Sequence, residues 1–209
     1  MFNRGNAAQD VFINKSDYSR FLLTTNYYRF IKLPIKLSRF LTLPIDNRDS
    51  IFARLEGKME RWVEIFCFCL MPNHFHILLK QLTENGISKF VGQLQNSFTR
   101  YFNTKRDRVG ALFQGQFKAK RVVTEEQLIH LSSYIHLNPY SSSVVKSIEE
   151  LKEYRYSSLP NYLFGQRCDF VSRDLIFNFF RNEAAYQKFV FDRANYQRQL
   201  EITKHLSFD

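Results

Sequence analysis

The sequence predicts an α+β fold: strands and helices in one core up to roughly residue 160, then a helical C-terminal extension. Three observations carry this. An apolar, aromatic-rich run from Trp62 to Met71 is followed, across Pro72-Asn73, by a second run from His74 to Lys80, which reads as an antiparallel pair of strands. Ile87, Phe90, Val91, Leu94, Phe98, Tyr101 and Phe102 recur at helical spacing. Thr124 and Gln127 form a T-x-x-Q capping box that opens a further helix, with Pro139 as its expected stop.

The remaining elements follow in chain order. Ser16 and Asp17 offer an N-cap, so a helix is expected from Tyr18 to about Phe30, with Phe21, Leu22 and Leu23 inward. Ile31 to Asn47 contains two Leu-Pro steps and no clean period, and reads as a long loop or insertion. Arg48 to about Arg61 is weakly helical. Beyond the first strand pair and its helix, Asn103 to Gly115 reads as a basic loop, and Gln116 to Val123 as a further strand. Glu125 to about Asn138 is the capped helix. Asp174 to Arg181 and Glu183 to about His205 are expected to be helical.

Composition narrows the function. With 44% hydrophobic and 24% charged residues, the chain of 209 is that of a folded protein, sized for one domain with an extension. Thirty Lys and Arg against 20 Asp and Glu leave a net charge of +10, which favours phosphate backbones or an anionic membrane surface. The longest apolar runs are too short to span a bilayer, so nucleic acid is the expected partner and no membrane is. The start, MFNRGNAAQD, has no apolar signal region, and the three cysteines (Cys67, Cys69, Cys168) read as small buried thiols of a reducing compartment. A cytoplasmic location is expected.

Two sites could carry chemistry. In a strand, His74 and His76 point to one face while Phe75, Ile77 and Leu79 point to the other. Paired imidazoles are half of a divalent-cation site, although two half-exposed strand histidines would give the same pattern. On the capped helix, Tyr134 and Asn138 lie one turn apart on a shared face, with His136 directed elsewhere. A tyrosine can attack phosphate and an amide oxygen suits a hard metal. Periodicity alone equally allows Tyr134 to be an interfacial residue packed on the sheet.

Taken together, Arg4-Gly5-Asn6, MPNHFHILL (Met71 to Leu79), GALFQGQFKAKRV (Gly110 to Val122), YIHLNPY (Tyr134 to Tyr140) and RYSS (Arg155 to Ser158) resemble the IS200-like single-tyrosine transposases of the HUH endonuclease superfamily, and within it the REP-associated tyrosine transposases. The resemblance spans about residues 4 to 160. It implies a ferredoxin-like antiparallel sheet backed by helices, with a transposase domain over 1–160 and a helical extension over 161–209. It further implies a divalent metal, Mg²⁺ or Mn²⁺, on His74, His76 and Asn138, with Tyr134 as nucleophile. The implied activity is cleavage and joining of single-stranded DNA through a 5′-phosphotyrosine, next to a hairpin, by a monomer or homodimer. Since both imidazoles must be neutral to bind a metal, affinity is expected to fall below about pH 6.5, the ordinary histidine pKa. Against the family pattern, Gln116 stands where an arginine is usual, only Met1, Phe2 and Asn3 precede Arg4, and the Ile31 to Asn47 insertion is long.

Within this resemblance, Arg4, Lys105, Arg106, Arg108, Lys118, Lys120 and Arg121 are the candidate DNA-binding residues, forming a phosphate-binding rim. Tyr101, Phe113 and Phe117 could stack on bases, though core packing accounts for them as well. The competing reading is a non-catalytic protein that keeps the fold and binds DNA hairpins.

Overall fold

The computed structural model describes residues 1–58, 60–165, 168 and 170–206. Its centre is a three-stranded antiparallel sheet of order β1-β3-β2, made of β1 (Phe2–Arg4), β2 (Val63–Met71) and β3 (His74–Gln81). Helices α1 (Lys15–Tyr28), α2 (Leu37–Leu41) and α3 (Ile45–Lys58) connect β1 to β2, and α4 (Gly86–Lys105) follows β3. After α4 the chain returns to the free side of β1, where Phe2 and Lys118 exchange backbone hydrogen bonds of 2.8 and 2.9 Å and Arg4 accepts from Gln114. The order of these segments across the sheet is that of the expected ferredoxin-like unit, with the fourth strand reduced to a bridge.

Both faces of the sheet are covered. Phe75, Ile77, Phe68 and Leu70 pack with Phe21 of α1 and Phe90, Leu94 and Phe98 of α4. The opposite face, carrying Cys67, Cys69, Met71 and Leu78, packs against α5 (Glu125–Ser141) and the C-terminal helices. These are α6 (Ile148–Lys152), α7 (Leu159–Phe164), α8 (Asp174–Phe177), α9 (Glu183–Phe191) and α10 (Ala194–Leu206). A β-bulge between Ile65 and Cys67 reverses the alternation of β2: Val63 and Ile65 face α4, whereas beyond the bulge the odd-numbered Cys67, Cys69 and Met71 face α5. Tyr162 of α7 donates to the bulged Phe66 carbonyl at 2.7 Å, so the irregular backbone is satisfied.

Several expectations are corrected here. The first helix starts earlier, at Lys15, because Asn14 rather than Ser16 is the cap; Asn14 accepts from the Asp17 amide and Asp17 accepts from the Asn14 amide in return. The stretch Ile31 to Asn47 is not a plain loop. Leu37 and Phe40 bury against Tyr27 in a small core of their own, and the Tyr27 hydroxyl binds the Ile35 carbonyl, so the two prolines mark the edges of helices rather than their absence. Gln116 to Val123 forms no strand beyond the bridge at Lys118.

Pro139 does not close its helix, which runs on to Ser141. A proline in the last turn forfeits only the bond to the carbonyl one turn earlier and keeps a helical φ, while the Ser141 hydroxyl reaches the Leu137 and Asn138 carbonyls. The Asp174 helix stops at Phe177, and Glu183 to His205 divides into α9 and α10, because the chain turns at Asp192 to lay both pieces along α5. Gly5 is one of two glycines, with Gly86, whose side of the chain is closed off. A Cβ on Gly5 would lie 2.1 Å from the Gln9 carbonyl oxygen, so the backbone pinned to Asn73 admits no side chain.

Candidate active site and nucleic-acid interface

The strand register assembles one wall of a cavity of about 730 Å³. Arg4 stands opposite His74 and Phe2 opposite His76 on the β1 side, while Met71 and Cys69 stand opposite them on the β2 side. Since cross-strand partners share a face, the two imidazoles lie between a basic edge and a buried sulfur-rich flank. Their ring centroids are 5.0 Å apart and the rings nearly perpendicular. The Phe2 ring packs 5.6 Å from His76, and Asn73 Oδ1 lies 2.6 Å from His74 Nδ1, which leaves Nε2 for the cavity.

The other wall is α5. Tyr134 sets its ring edge-on to His76 at 5.9 Å, and the Asn138 side chain reaches the His74 ring while its amide nitrogen donates to the Tyr134 carbonyl. The four residues read from the sequence as metal ligands and nucleophile therefore meet in one place. Arg4, Lys118 and Lys120 are exposed on the rim of the same cavity, which is also lined by two acids, exposed Asp10 and half-buried Glu201.

The rotation of α5 that presents Tyr134 and Asn138 is fixed from its far side. His136 is fully buried, with Tyr186 Oη of α9 at 2.7 Å from Nδ1 and Ser158 Oγ at 2.8 Å from Nε2. Ser158 in turn accepts from the Phe68 amide of β2 at 2.9 Å, and Tyr186 donates to Ser132 at 3.2 Å. The bonds form one continuous chain when Nδ1 carries the proton. The RYSS stretch thus ties α5 to the sheet, a role for His136 and Ser158 that residue chemistry alone did not reveal. Only the pairing of a buried histidine with a late tyrosine would have shown it, and that pairing is non-local.

Burial dominates the protonation of these histidines. It lowers His74 to about 4, with help from Arg4 and against the opposing pull of Asn138 and Glu201. It lowers His76 to about 3, aided by His74 and the amino terminus, and His136 to about 3 unaided. The imidazoles at the cavity thus stay neutral well below pH 6.5, and the expected acid limit of metal affinity moves down accordingly. Two neutral imidazole nitrogens beside an amide oxygen form a donor set that fits a divalent cation. Among the described residues no three His, Cys, Asp or Glu side chains gather in this way.

The same shifts predict acid lability. In the unfolded chain these histidines take up protons from about pH 6.5 downward, while in the folded chain they resist until pH 4 to 3, so stability is lost as pH falls through that window. Each contributes a slope approaching about 1.4 kcal/mol per pH unit. Urea midpoints of chelator-treated protein should drop steadily between pH 7 and pH 5; a flat profile would contradict the buried, neutral assignment.

The remaining predicted basic residues lie elsewhere. Arg121 lines an adjoining cavity together with Lys120. Lys105 and Arg106 both pair with Asp17 of α1, a carboxylate with no exposed side-chain surface. Arg108 donates to Asn103 and to the Gly110 and Ala111 carbonyls, folding its own loop. The candidate stacking aromatics are also engaged: Tyr101 donates to Asp17, Phe113 is buried, and Phe117 packs on the core.

Comparison with known proteins gives the family. Residues 25–138 match the family model described as transposase, IS200 like. Among solved structures, the chain is similar to a REP-associated tyrosine transposase bound to a REP hairpin, with 13% sequence identity, 83% of each chain covered and a TM-score of 0.48. No curated protein matches the sequence. No helix among the described residues is long and apolar enough to cross a membrane.

Proposed function

The chain belongs to the IS200-like transposase family, and on that premise we propose that it cuts and rejoins single-stranded DNA beside a hairpin, with Tyr134 as the nucleophile. The observation that carries this is the convergence of His74, His76, Tyr134 and Asn138 on one cavity rimmed by Arg4, Lys118 and Lys120. A merely structural tyrosine or a plain hairpin binder has no chemical need for that set.

The rim cations bind the backbone phosphates and bring one of them against Tyr134. His74, His76 and Asn138 hold a divalent cation, Mg²⁺ or Mn²⁺, which when bound polarises the scissile phosphate. The Tyr134 oxygen attacks phosphorus and forms the new O–P bond as the bond to the 3′-oxygen breaks. The tyrosine loses its proton, the departing 3′-oxygen gains one, and the products are a 5′-phosphotyrosine and a free 3′-OH. Attack by a 3′-OH on the phosphotyrosine reverses these bond changes and joins the strand.

Incubation with hairpin DNA from the flanks of the gene itself, with Mg²⁺ or Mn²⁺, should yield a covalent protein–DNA adduct that chelator prevents. Tight hairpin binding with no adduct under either metal would overturn the catalytic reading in favour of the binding one.

Affinity should come from the cavity rim and not from the loop around Arg106. Lys118→Ala with Lys120→Ala should weaken binding to any hairpin and flatten its salt dependence by roughly 0.7 to 0.9 of a slope unit for each phosphate no longer neutralised. Arg108→Ala should leave that slope in place. The opposite pattern in a salt titration would return the interface to the loop.

A further inference from the structure

The segment from Gly5 to Phe12 grips the Pro72-Asn73 turn that joins β2 to β3. The Gly5 amide donates to the Asn73 carbonyl at 2.7 Å, and the Val11 and Phe12 amides donate to the Pro72 carbonyl at 2.8 and 2.9 Å. Between these anchors the chain turns tightly, and Ala7 and Ala8 both take positive φ, 49° and 57°. A Cβ makes that region costly, and here two residues in a row occupy it. The turn delivers one contact to the site: the Ala8 carbonyl accepts from Asn73 Nδ2 at 3.3 Å. The oxygen of the same amide, Asn73 Oδ1, lies 2.6 Å from His74 Nδ1.

We propose that Asn73 is a positioning residue for the metal site, with the Ala8 carbonyl setting the direction of its amide. The inference rests on the proposed function, in which His74 holds the cation. A carbonyl can only accept, so Ala8 faces Nδ2 and Oδ1 is left to face the imidazole. Oδ1 likewise only accepts, so Nδ1 carries the proton and the lone pair of Nε2 is left for the cavity. Turning the amide over would set two oxygens against each other at Ala8. It would also set an N–H against Nδ1, which would then need the Nε2–H tautomer. That tautomer has a competing attraction. The Asn138 side chain reaches the same ring from α5, with its nitrogen donating to the Tyr134 carbonyl and its oxygen left to accept. A proton on Nε2 would satisfy Asn138 and close His74 to a cation. The backbone turn at Ala8 thus selects the ring form that can bind.

The test reads tautomer and metal separately. In chelator-treated protein at pH 7, with isotope-labelled histidine, the ring nitrogen shifts report which nitrogen carries the proton. The wild type should show Nδ1–H at His74. Asn73→Ala should move that proton to Nε2, while His136, whose partners are untouched, keeps its own signals and shows that the fold is kept. Mn²⁺ affinity, read from the magnetic resonance signal of the free ion, should fall on the order of 10- to 100-fold. Asn73→Asp still accepts from Nδ1–H and should retain the wild-type tautomer and bind Mn²⁺ at least as well. Ala8→Val leaves Asn73 in place but disfavours positive φ, and should shift part of the His74 population to Nε2–H; Ala8→Gly should not.

A tautomer and an Mn²⁺ affinity unchanged in Asn73→Ala would overturn the role of Asn73. An equal loss in Asn73→Asp would overturn it too, because the acceptor is still there. Ala8→Val behaving as wild type would remove the carbonyl from the account. A wild type with Nδ1–H at His74 that takes up no Mn²⁺ would overturn the metal site of the proposed function, and the positioning role with it.

Discussion

Tyr134→Phe should abolish the covalent protein–DNA adduct of the proposed reaction and leave folding and hairpin binding intact. The ring stays edge-on to His76 and keeps its packing on the partly buried face of α5, so only the attacking oxygen is lost. Removal of a covalent nucleophile costs on the order of a thousandfold or more in rate, and with the proposed attacking oxygen gone the product to be scored should not form at all. The other tyrosines nearby are poor substitutes. Tyr140 is buried with its hydroxyl donating to Asn195 at 3.2 Å, and Tyr101 donates to Asp17 on the other side of the sheet. Denaturing electrophoresis of labelled hairpin with wild-type and variant protein decides the matter. An adduct that persists in the variant removes Tyr134 from its role.

The largest loss of stability is expected at Asp17. Its carboxylate is buried and receives Lys105, Tyr101, the Ile13 and Asn14 amides, and Arg106. Burial by itself would raise the carboxyl, but Arg106, Lys105, the Ile13 amide and Tyr101 together outweigh it and hold the group below its ordinary pKa. Asp17→Asn keeps the shape and removes the charge, leaving two cations without their counter-ion and one end of the α1 cap weakened. Breaking a buried pair from one side costs about 3 kcal/mol or more, which should appear as a lowered urea midpoint at pH 7. Arg106→Ala should destabilise in the same direction without changing the salt dependence of DNA binding. An unfolding free energy within about 0.5 kcal/mol of wild type, the range of ordinary surface substitutions, would show that the cluster is not structural.

What could be read from the sequence was local. The period of two placed His74 and His76 on one face, and one helical turn joined Tyr134 to Asn138, because backbone geometry alone fixes those relations. The turn at Pro72-Asn73 and the cap at Thr124 were equally local. The role of Lys105 and Arg106 was not legible, since their partner Asp17 lies on a different helix far back in the chain. Nor was the position of Arg4 opposite His74, which depends on the register between the first strand and one some seventy residues later. The bulge at Phe66 hides in the unbroken apolar run from Ile65 to Met71, where every residue is buried and no alternation remains to be interrupted. Pro139 misled for another reason: its cost depends on where in the helix it falls, and the last turn tolerates it.

The buried contact between His136 and Tyr186 has a consequence for the order in which the molecule matures on the ribosome. Helix α5 is synthesised well before α9, so a nascent chain that has only just released Tyr134 has no tyrosine hydroxyl to meet His136 Nδ1, and the aromatic packing of Tyr162, Phe177 and Phe180 around Tyr186 is still absent. Until those residues emerge, the rotation that turns Tyr134 and Asn138 toward the histidines is held on the far side of α5 by Ser158 without its Tyr186 counterpart. Completion of the chain is thereby coupled to completion of the cavity, and a message truncated after Ser158 would encode every residue of the proposed chemistry with only the Ser158 half of the clamp that aligns it.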